Sequence, residues 1–216
     1  MGFSAVIFDL GGVVLGSPLH AIARYERRID IPGGFINRVI VDAGAEGAWS
    51  RLERGEILLD RFYDEFDREC AEAGNAISAR DMMAGIAESG GPRPQMIAAI
   101  QTIRERGLRV AALTNNWASE NRGDGGSGGL RRLFHVFVES SVVGLSKPDP
   151  RIYRHVCSEL EVEPRAAVFL DDIGRNLKTA RELGMRTIKV EDPDLALGEL
   201  ETALGFKLRS EPRLPS

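Results

Sequence analysis

The sequence is poor in cysteine. Of 216 residues only Cys70 and Cys157 carry a thiol, and they stand far apart. Neither a disulfide framework nor the paired spacing of a metal site results, and two reduced thiols suit a cytoplasmic protein. Long apolar runs are also missing. None approaches the roughly 20 residues that span a bilayer, and the N-terminus has no basic segment leading into an apolar one. Charge of one sign is missing too: 28 Lys and Arg stand against 32 Asp and Glu, for a net charge of -4 and a pI near 5.5. Every arginine-rich stretch is interleaved with acids, so nucleic acid is not an expected partner. The expectation is a soluble cytoplasmic chain, monomer or homodimer, with no membrane partner.

What is present is a series of short apolar runs at 5–8, 109–114, 136–139, 167–170 and 187–190. Most are continuous in Val, Ile, Leu, Ala and Phe. Strands buried on both faces of a parallel sheet read this way. Helical segments at 94–106, 150–160, 176–183 and 195–204 alternate with the later runs. Gly107 and Gly184 follow two of them as C-cap candidates. The pattern predicts an α/β fold with a doubly wound parallel sheet. Residues 17–91 differ, because they contain no convincing strand. They predict helices at 18–29, 35–41, 45–54, 59–73 and 79–88. Ser17 is an N-cap candidate before Pro18, and Ser78 with Asp81 has the spacing of a capping box. The expected organisation is a core of residues 1–16 and 92–216, with 17–91 inserted after the first strand as a helical cap. The glycine-rich stretch 120–132 lacks the Gly-Lys-Ser/Thr ending of a phosphate-cradling loop and reads as a mobile surface loop. The tail after Phe206, with Pro212 and Pro215, reads as loosely docked.

Ligands of open parallel sheets bind at the carboxyl ends of the strands. After the first strand comes Asp9, after the second Thr114, Asn115 and Asn116, and after the fourth Asp171 and Asp172. Lys147 lies in the loop beyond the third, ahead of Pro148. Three carboxylates brought together repel one another, and a hard divalent cation resolves the repulsion. Mg²⁺ prefers a few carboxylates together with waters and phosphate oxygens. Lys147 adds a point charge suited to a phosphate, and Thr114 and Asn115 add neutral donors. The set fits a phosphoryl group, with Asp9 on the rigid first strand left as nucleophile.

Four segments, "VIFDLGG", "ALTNN", "SKPDPRIY" and "FLDDIGRN", stand in the order and spacing of a known set of motifs. By them the chain resembles the haloacid dehalogenase-like (HAD) hydrolase superfamily over nearly its whole length, with a Rossmann-like core and a cap after the first motif. At closer range, "TNNW", "KPDPRIY" and "LDDIGRNLKTARELGMRTIKV" resemble the subfamily of the N-terminal phosphatase domain of soluble epoxide hydrolase and the N-terminal domain of multidomain acyl-CoA dehydrogenases. The resemblance implies a Mg²⁺-dependent phosphohydrolase acting on a small phosphorylated metabolite through an aspartyl phosphate on Asp9. It implies metal ligation by Asp9, the Gly11 carbonyl and Asp172, with Asp171 behind them or binding through a water. Thr114, Asn115 and Asn116 would contact phosphate or substrate, Lys147 would stabilise charge, and Asn176 would orient the site or touch substrate.

The resemblance also exposes a gap. Phosphatase members usually carry a second aspartate two residues after the nucleophile, as acid and base, and this chain has Gly11 there. Losing a positioned acid/base typically lowers a rate by about 10²–10⁴. Three readings stay open: substrates with good leaving groups, a substitute proton donor such as His20 or a cap carboxylate, or an impaired domain that binds a phosphorylated ligand or partner. Rates that climb steeply as leaving-group pKa falls mark the first, and a flat dependence marks the second. A dehalogenase would not need the acid but would leave the pair Asp171 and Asp172 unexplained. A phosphonate hydrolase would need a cap lysine, and residues 17–91 contain none. A phospho-receiver module would place its acidic pair early in the chain.

Overall fold

The computed structural model describes residues 2–88, 90–117 and 127–208. The five apolar runs form one parallel sheet. Its strands are β1 (Ala5–Phe8), β2 (Arg109–Thr114), β3 (Val136–Glu139), β4 (Ala167–Asp171) and β5 (Arg186–Lys189), in the order β3-β2-β1-β4-β5. In register, Phe8 lies opposite both Ala112 and Leu170, so β1 is flanked on both edges. Alternate residues of a strand face opposite sides. Val6, Phe8, Val110, Ala112, Val168 and Leu170 pack toward helices Pro94–Glu105 and Pro193–Leu204. Ala5, Ile7, Ala111, Leu113, Ala167 and Phe169 pack toward Pro150–Leu160 and Gly174–Glu182. Both faces are therefore apolar, which is why the runs are continuous rather than alternating. Among the described residues no helix is long and apolar enough to cross a membrane.

Several boundaries differ from the sequence reading. β4 runs on into Asp171, and β5 lies one residue earlier than 187–190. The last two helices start earlier, at Gly174 and Pro193, because Asp192 caps the latter by accepting from Asp194 and Leu195 N–H. The segment 45–54 divides into a 3₁₀ turn, Gly44–Glu46, and a helix, Ala48–Glu53. Within the glycine-rich stretch, Ser127–Arg131 is a short helix, not a loop. Residues 120–126 of that stretch lie outside the described residues, as does the tail from 209 onward. Gly107 and Gly184 take the left-handed φ of C-cap residues, at 83° and 94°.

Helices Pro18–Arg28, Phe35–Ala43, Ala48–Glu53, Leu59–Glu72 and Ala79–Glu88 share a separate apolar cluster. Phe62 and Phe66 stack at its centre, with ring centroids 5.1 Å apart. Carboxylates from other helices close the N-termini. Glu26, 2% exposed, accepts from Gly34 N–H at 2.8 Å and Ile36 N–H at 2.9 Å. Glu69 accepts from Ala48 N–H at 2.8 Å, and Asp67 from Ala79 N–H at 2.6 Å. The N-cap positions of the first two are Gly34 and Gly47, which have no side chain to do this. Negative charge at these ends also complements the helix dipoles. The expected capping box forms by half. Ser78 Oγ accepts from Asp81 N–H at 3.2 Å, while Ser78 N–H turns to Tyr25 Oη at 2.7 Å.

A tight joint connects this helical layer to the sheet. Ser140, at the start of helix Ser140–Val143 beyond β3, donates its hydroxyl to Glu53 O at 2.6 Å. Gly55 follows with φ 71°, and a Cβ there would lie 2.4 Å from Ser141 O. Only a glycine combines that conformation with that approach.

Replacing Glu26 by alanine would strand the buried N–H of Ile36 and release the exposed N–H of Gly34 to water. The expected loss is about 1–3 kcal/mol in urea unfolding, because a buried donor left unpaired carries its full desolvation penalty. An unchanged midpoint would refute the cross-helix capping.

Candidate active site

Asp9 sits where β1 ends. Its N–H still bonds Leu170 O at 2.9 Å, so the strand network fixes its backbone. Its Oδ1 accepts from Leu10 N–H at 2.7 Å as the chain winds into a π-turn, Leu10–Val14. Gly12 within that turn has φ 81°, and a Cβ on it would fall 2.0 Å from Asp172 Oδ2. The glycine lets the turn lie against the Asp172 carboxylate. Arg93 secures the turn by donating to Gly12 O at 2.8 Å and Val13 O at 3.2 Å. Ser17, expected as an N-cap, makes no capping bond and instead donates to Asp172 Oδ2 at 3.3 Å.

Lys147 lies between two strand ends. Its Nζ is 2.8 Å from Asp9 Oδ1 and 2.8 Å from Asp171 Oδ2, with the side chain 1% exposed. Asp171 also accepts from Ile173 N–H at 2.8 Å and from Asn176 Nδ2, 3.1 Å from each oxygen. Each Asp171 oxygen thus holds two donors. Asp9, Asp171 and Asp172 bring one oxygen apiece within 4.8 Å of one another. Burial pushes the Asp9 carboxyl well above the usual range; Lys147 opposes the shift, and Asp171 and Asp172 add to it. Burial, then Asp171, raises Asp172 as well. Burial works against the Lys147 ammonium, but Asp171 and Asp9 prevail and hold it above the ordinary lysine range.

The remaining predicted residues divide by what they touch. Asn115 Oδ1 accepts from Lys147 N–H at 2.8 Å, and its Nδ2 donates to Lys147 O at 3.0 Å and Glu53 Oε2 at 2.9 Å. Its amide therefore sets the Lys147 loop and reaches the helical layer. Asn116 is drawn toward β3: Nδ2 donates to Glu139 Oε1 at 2.7 Å, and Oδ1 accepts from Ser141 Oγ at 2.9 Å. Thr114 is buried at the end of β2. Asn176 is 2% exposed, and its Oδ1 has no partner among the described residues.

A cleft of about 100 Å³ opens over this floor. Asp9, Gly11, Lys147, Asp172 and Asn176 line it from the sheet, and Leu19, Ile22, Ile40, Trp49 and Glu53 from the helical layer. Trp117 and Arg175 line it as well. Trp49 and Trp117 meet edge to face at 6.1 Å. His20 is exposed and outside the lining, and Phe62 is fully buried in the helical cluster. Sequence reasoning singled out neither Glu53 nor Arg93. Glu53 lies in the alternating run "RLERGE", which looks like a solvated helix face, and no local signal separates it from its neighbours.

Comparison with known proteins bears on the family and the fold. The model of the haloacid dehalogenase-like hydrolases matches residues 3–184. Acyl-CoA dehydrogenase family member 10 of Mus musculus is 39% identical over 209 residues, covering 95% of this chain and 20% of that protein. Bifunctional epoxide hydrolase 2 of Sus scrofa is 36% identical over 228 residues, covering 100% and 41%. The chain thus spans less than half the length of these two relatives. Phosphatase MT3486 of Mycobacterium tuberculosis is 30% identical over 210 residues, covering 88% of each. A HAD family enzyme of Bacteroides thetaiotaomicron, solved with magnesium and inorganic phosphate, shares the fold at a TM-score of 0.62. It is 22% identical and covers 88% of this chain and 97% of that one. With the parallel sheet, the motif residues at its carboxyl edge and a family match across most of its length, the chain belongs to the haloacid dehalogenase-like hydrolases.

Proposed function

We propose that the protein is a Mg²⁺-dependent phosphohydrolase that cleaves a small phosphorylated metabolite through an aspartyl phosphate on Asp9. The carrying observation is Lys147 Nζ held 2.8 Å from both Asp9 and Asp171 beside a third carboxylate, Asp172. A buried ammonium against Asp9 favours its ionised, nucleophilic form and offers a charge to an incoming phosphate. Phosphatases among the relatives, Phosphatase MT3486 for one, support the same reading.

The donor set fits a hard cation. Three carboxylates face one ammonium, and burial and mutual repulsion raise both Asp9 and Asp172. Oxygen-only ligation of this kind suits Mg²⁺. Asp9, Asp172 and the Gly11 carbonyl would hold it, whereas Asp171, its oxygens taken up by donors, would steady Lys147 and the site from behind. The bound ion supplies charge neutralisation at the phosphoryl oxygens. Asp9 attacks from the fixed end of β1. Thr114 and the Asn115 backbone offer hydrogen bonds to the phosphate, and the Asn115 side chain keeps Lys147 in place. Asn116 supports the strand edge beside them, and Asn176 fixes Asp171. Residues 17–91 act as a cap over a catalytic core of 1–16 and 92–216. The leaving group then meets the apolar wall of Ile22, Ile40, Trp49 and Trp117.

Two outcomes test the reading. Asp9→Asn and chelation of divalent ions should each abolish turnover of p-nitrophenyl phosphate and acetyl phosphate. Activity surviving either change would sink the proposal, and an inert wild type would favour a ligand-binding domain. Lys147→Met should inactivate the enzyme and also cost about 3–5 kcal/mol in stability, because it leaves buried carboxylates without their cation. Adding Asp171→Asn should recover part of that stability in urea unfolding without recovering turnover.

A further inference from the structure

Cleaving an ordinary phosphate ester needs a proton for the departing oxygen, and hydrolysing the phosphoenzyme needs a base for water. Gly11 brings no side chain to that task. The floor has no spare group either. Asp9 is the proposed nucleophile, Asp172 is assigned to the cation, and Lys147 is held between two carboxylates. The other ionisable side chains lining the cleft, among the described residues, are Glu53 and Arg175. An arginine does not give up its proton in proteins. Glu53 is left.

Its setting suits the work. Glu53 ends helix Ala48–Glu53 and looks into the cleft from the cap. Trp49 Nε1 donates to its Oε1 at 3.0 Å and Asn115 Nδ2 to its Oε2 at 2.9 Å, while Ser140 holds its backbone carbonyl. The carboxyl is therefore aimed from both sides, yet each oxygen retains a second site for a proton or a hydrogen bond. Lys147, Arg175 and Arg54 are the charged groups that face it. Burial pushes its pKa above the ordinary glutamate range, against the pull of Trp49, Asn115, Arg175 and Lys147. The protonated form thus persists at a pH where a free glutamate is ionised, as a general acid requires.

We propose that Glu53 is the proton-transfer residue of this site, supplied by the cap in place of a side chain at Gly11. The proposal rests on the phosphohydrolase reading above. As the bond from Asp9 to phosphorus forms and the ester P–O bond breaks, the Glu53 O–H gives its proton to the leaving oxygen. A neutral alcohol departs, and Glu53 becomes a carboxylate. It then takes a proton from water as the water oxygen bonds phosphorus and the P–O bond to Asp9 breaks. Inorganic phosphate leaves, and Glu53 is protonated again.

The test compares n-propyl phosphate with p-nitrophenyl phosphate on wild type, Glu53→Gln and Asp9→Asn, with Mg²⁺. For Glu53→Gln, kcat/KM on propyl phosphate should fall about 10²–10⁴-fold, and on p-nitrophenyl phosphate by less than about tenfold, since nitrophenolate leaves unaided. The variant should release a burst of nitrophenolate and then slow, because water attack lacks its base. Comparing two substrates in one sample makes the result independent of how much variant folds. A glutamate that merely latches the cap would lower both values equally, and that outcome overturns the proposal, as does no loss on either. Trp49→Phe provides a second check. Removing a donor to the Glu53 carboxylate should move the alkaline limb of kcat/KM to higher pH, and an unmoved limb counts against the assignment. Absence of Asp9-dependent turnover of p-nitrophenyl phosphate by wild type would instead overturn the phosphohydrolase reading itself, and Glu53 with it.

Discussion

One buried cation holds the active edge of this protein together. Lys147 joins the ends of β1 and β4 by touching Asp9 and Asp171 at equal distance. Without it, three carboxylates, two of them buried, would lie close together with no ammonium between them. A buried charge is tolerated when its partners are close and their remaining positions are filled, and Asp171 meets that condition with every oxygen position occupied. The rest of the edge is arranged around this contact. Asn115 grips Lys147 by both backbone groups, Gly12 makes room for Asp172, and Arg93 pins the turn that follows Asp9.

The same asparagine extends the arrangement upward. Asn115 Nδ2 divides its two protons between the Lys147 carbonyl and the Glu53 carboxylate. Ser140 and the close approach of Gly55 to Ser141 complete the joint on that side. The helical layer is thus joined to the sheet through the residue that positions the lysine, and one side chain links that layer to the charged cluster.

The sheet, most helices and the floor of the site were legible in the sequence for a common reason: each is written locally. Continuous apolar runs mark strands covered on both faces, and a polar residue after such a run stands at the carboxyl edge of the sheet. Asp9, Asp171 and Asp172 stand out that way, and Lys147 in the loop beyond β3, whereas Thr114, also at a strand end, is buried and does not line the cleft. Features that depend on distant partners were not legible. Glu26, Glu69 and Asp67 cap helices other than their own, so no spacing rule reaches them. Glu53 looks like any other charge in an Arg-Glu run until the fold sets Trp49 and Asn115 on either side of it. Ser17 has the sequence of an N-cap, yet its hydroxyl finds a carboxylate 155 residues away.

Gly11 itself is under no conformational demand, since its φ of -64° and ψ of 124° suit any residue. What surrounds it has closed in. A Cβ at this position would lie 3.2 Å from both Cδ and Cγ of Pro18, the residue that opens helix Pro18–Arg28. The ring would have to give by a few tenths of an ångström, and it is tied to the start of that helix. A side chain at position 11 would therefore press on the first turn of helix Pro18–Arg28. Glycine at position 11 and proline at position 18 are thus one packing unit, and a larger residue at the first has to be accommodated by the second.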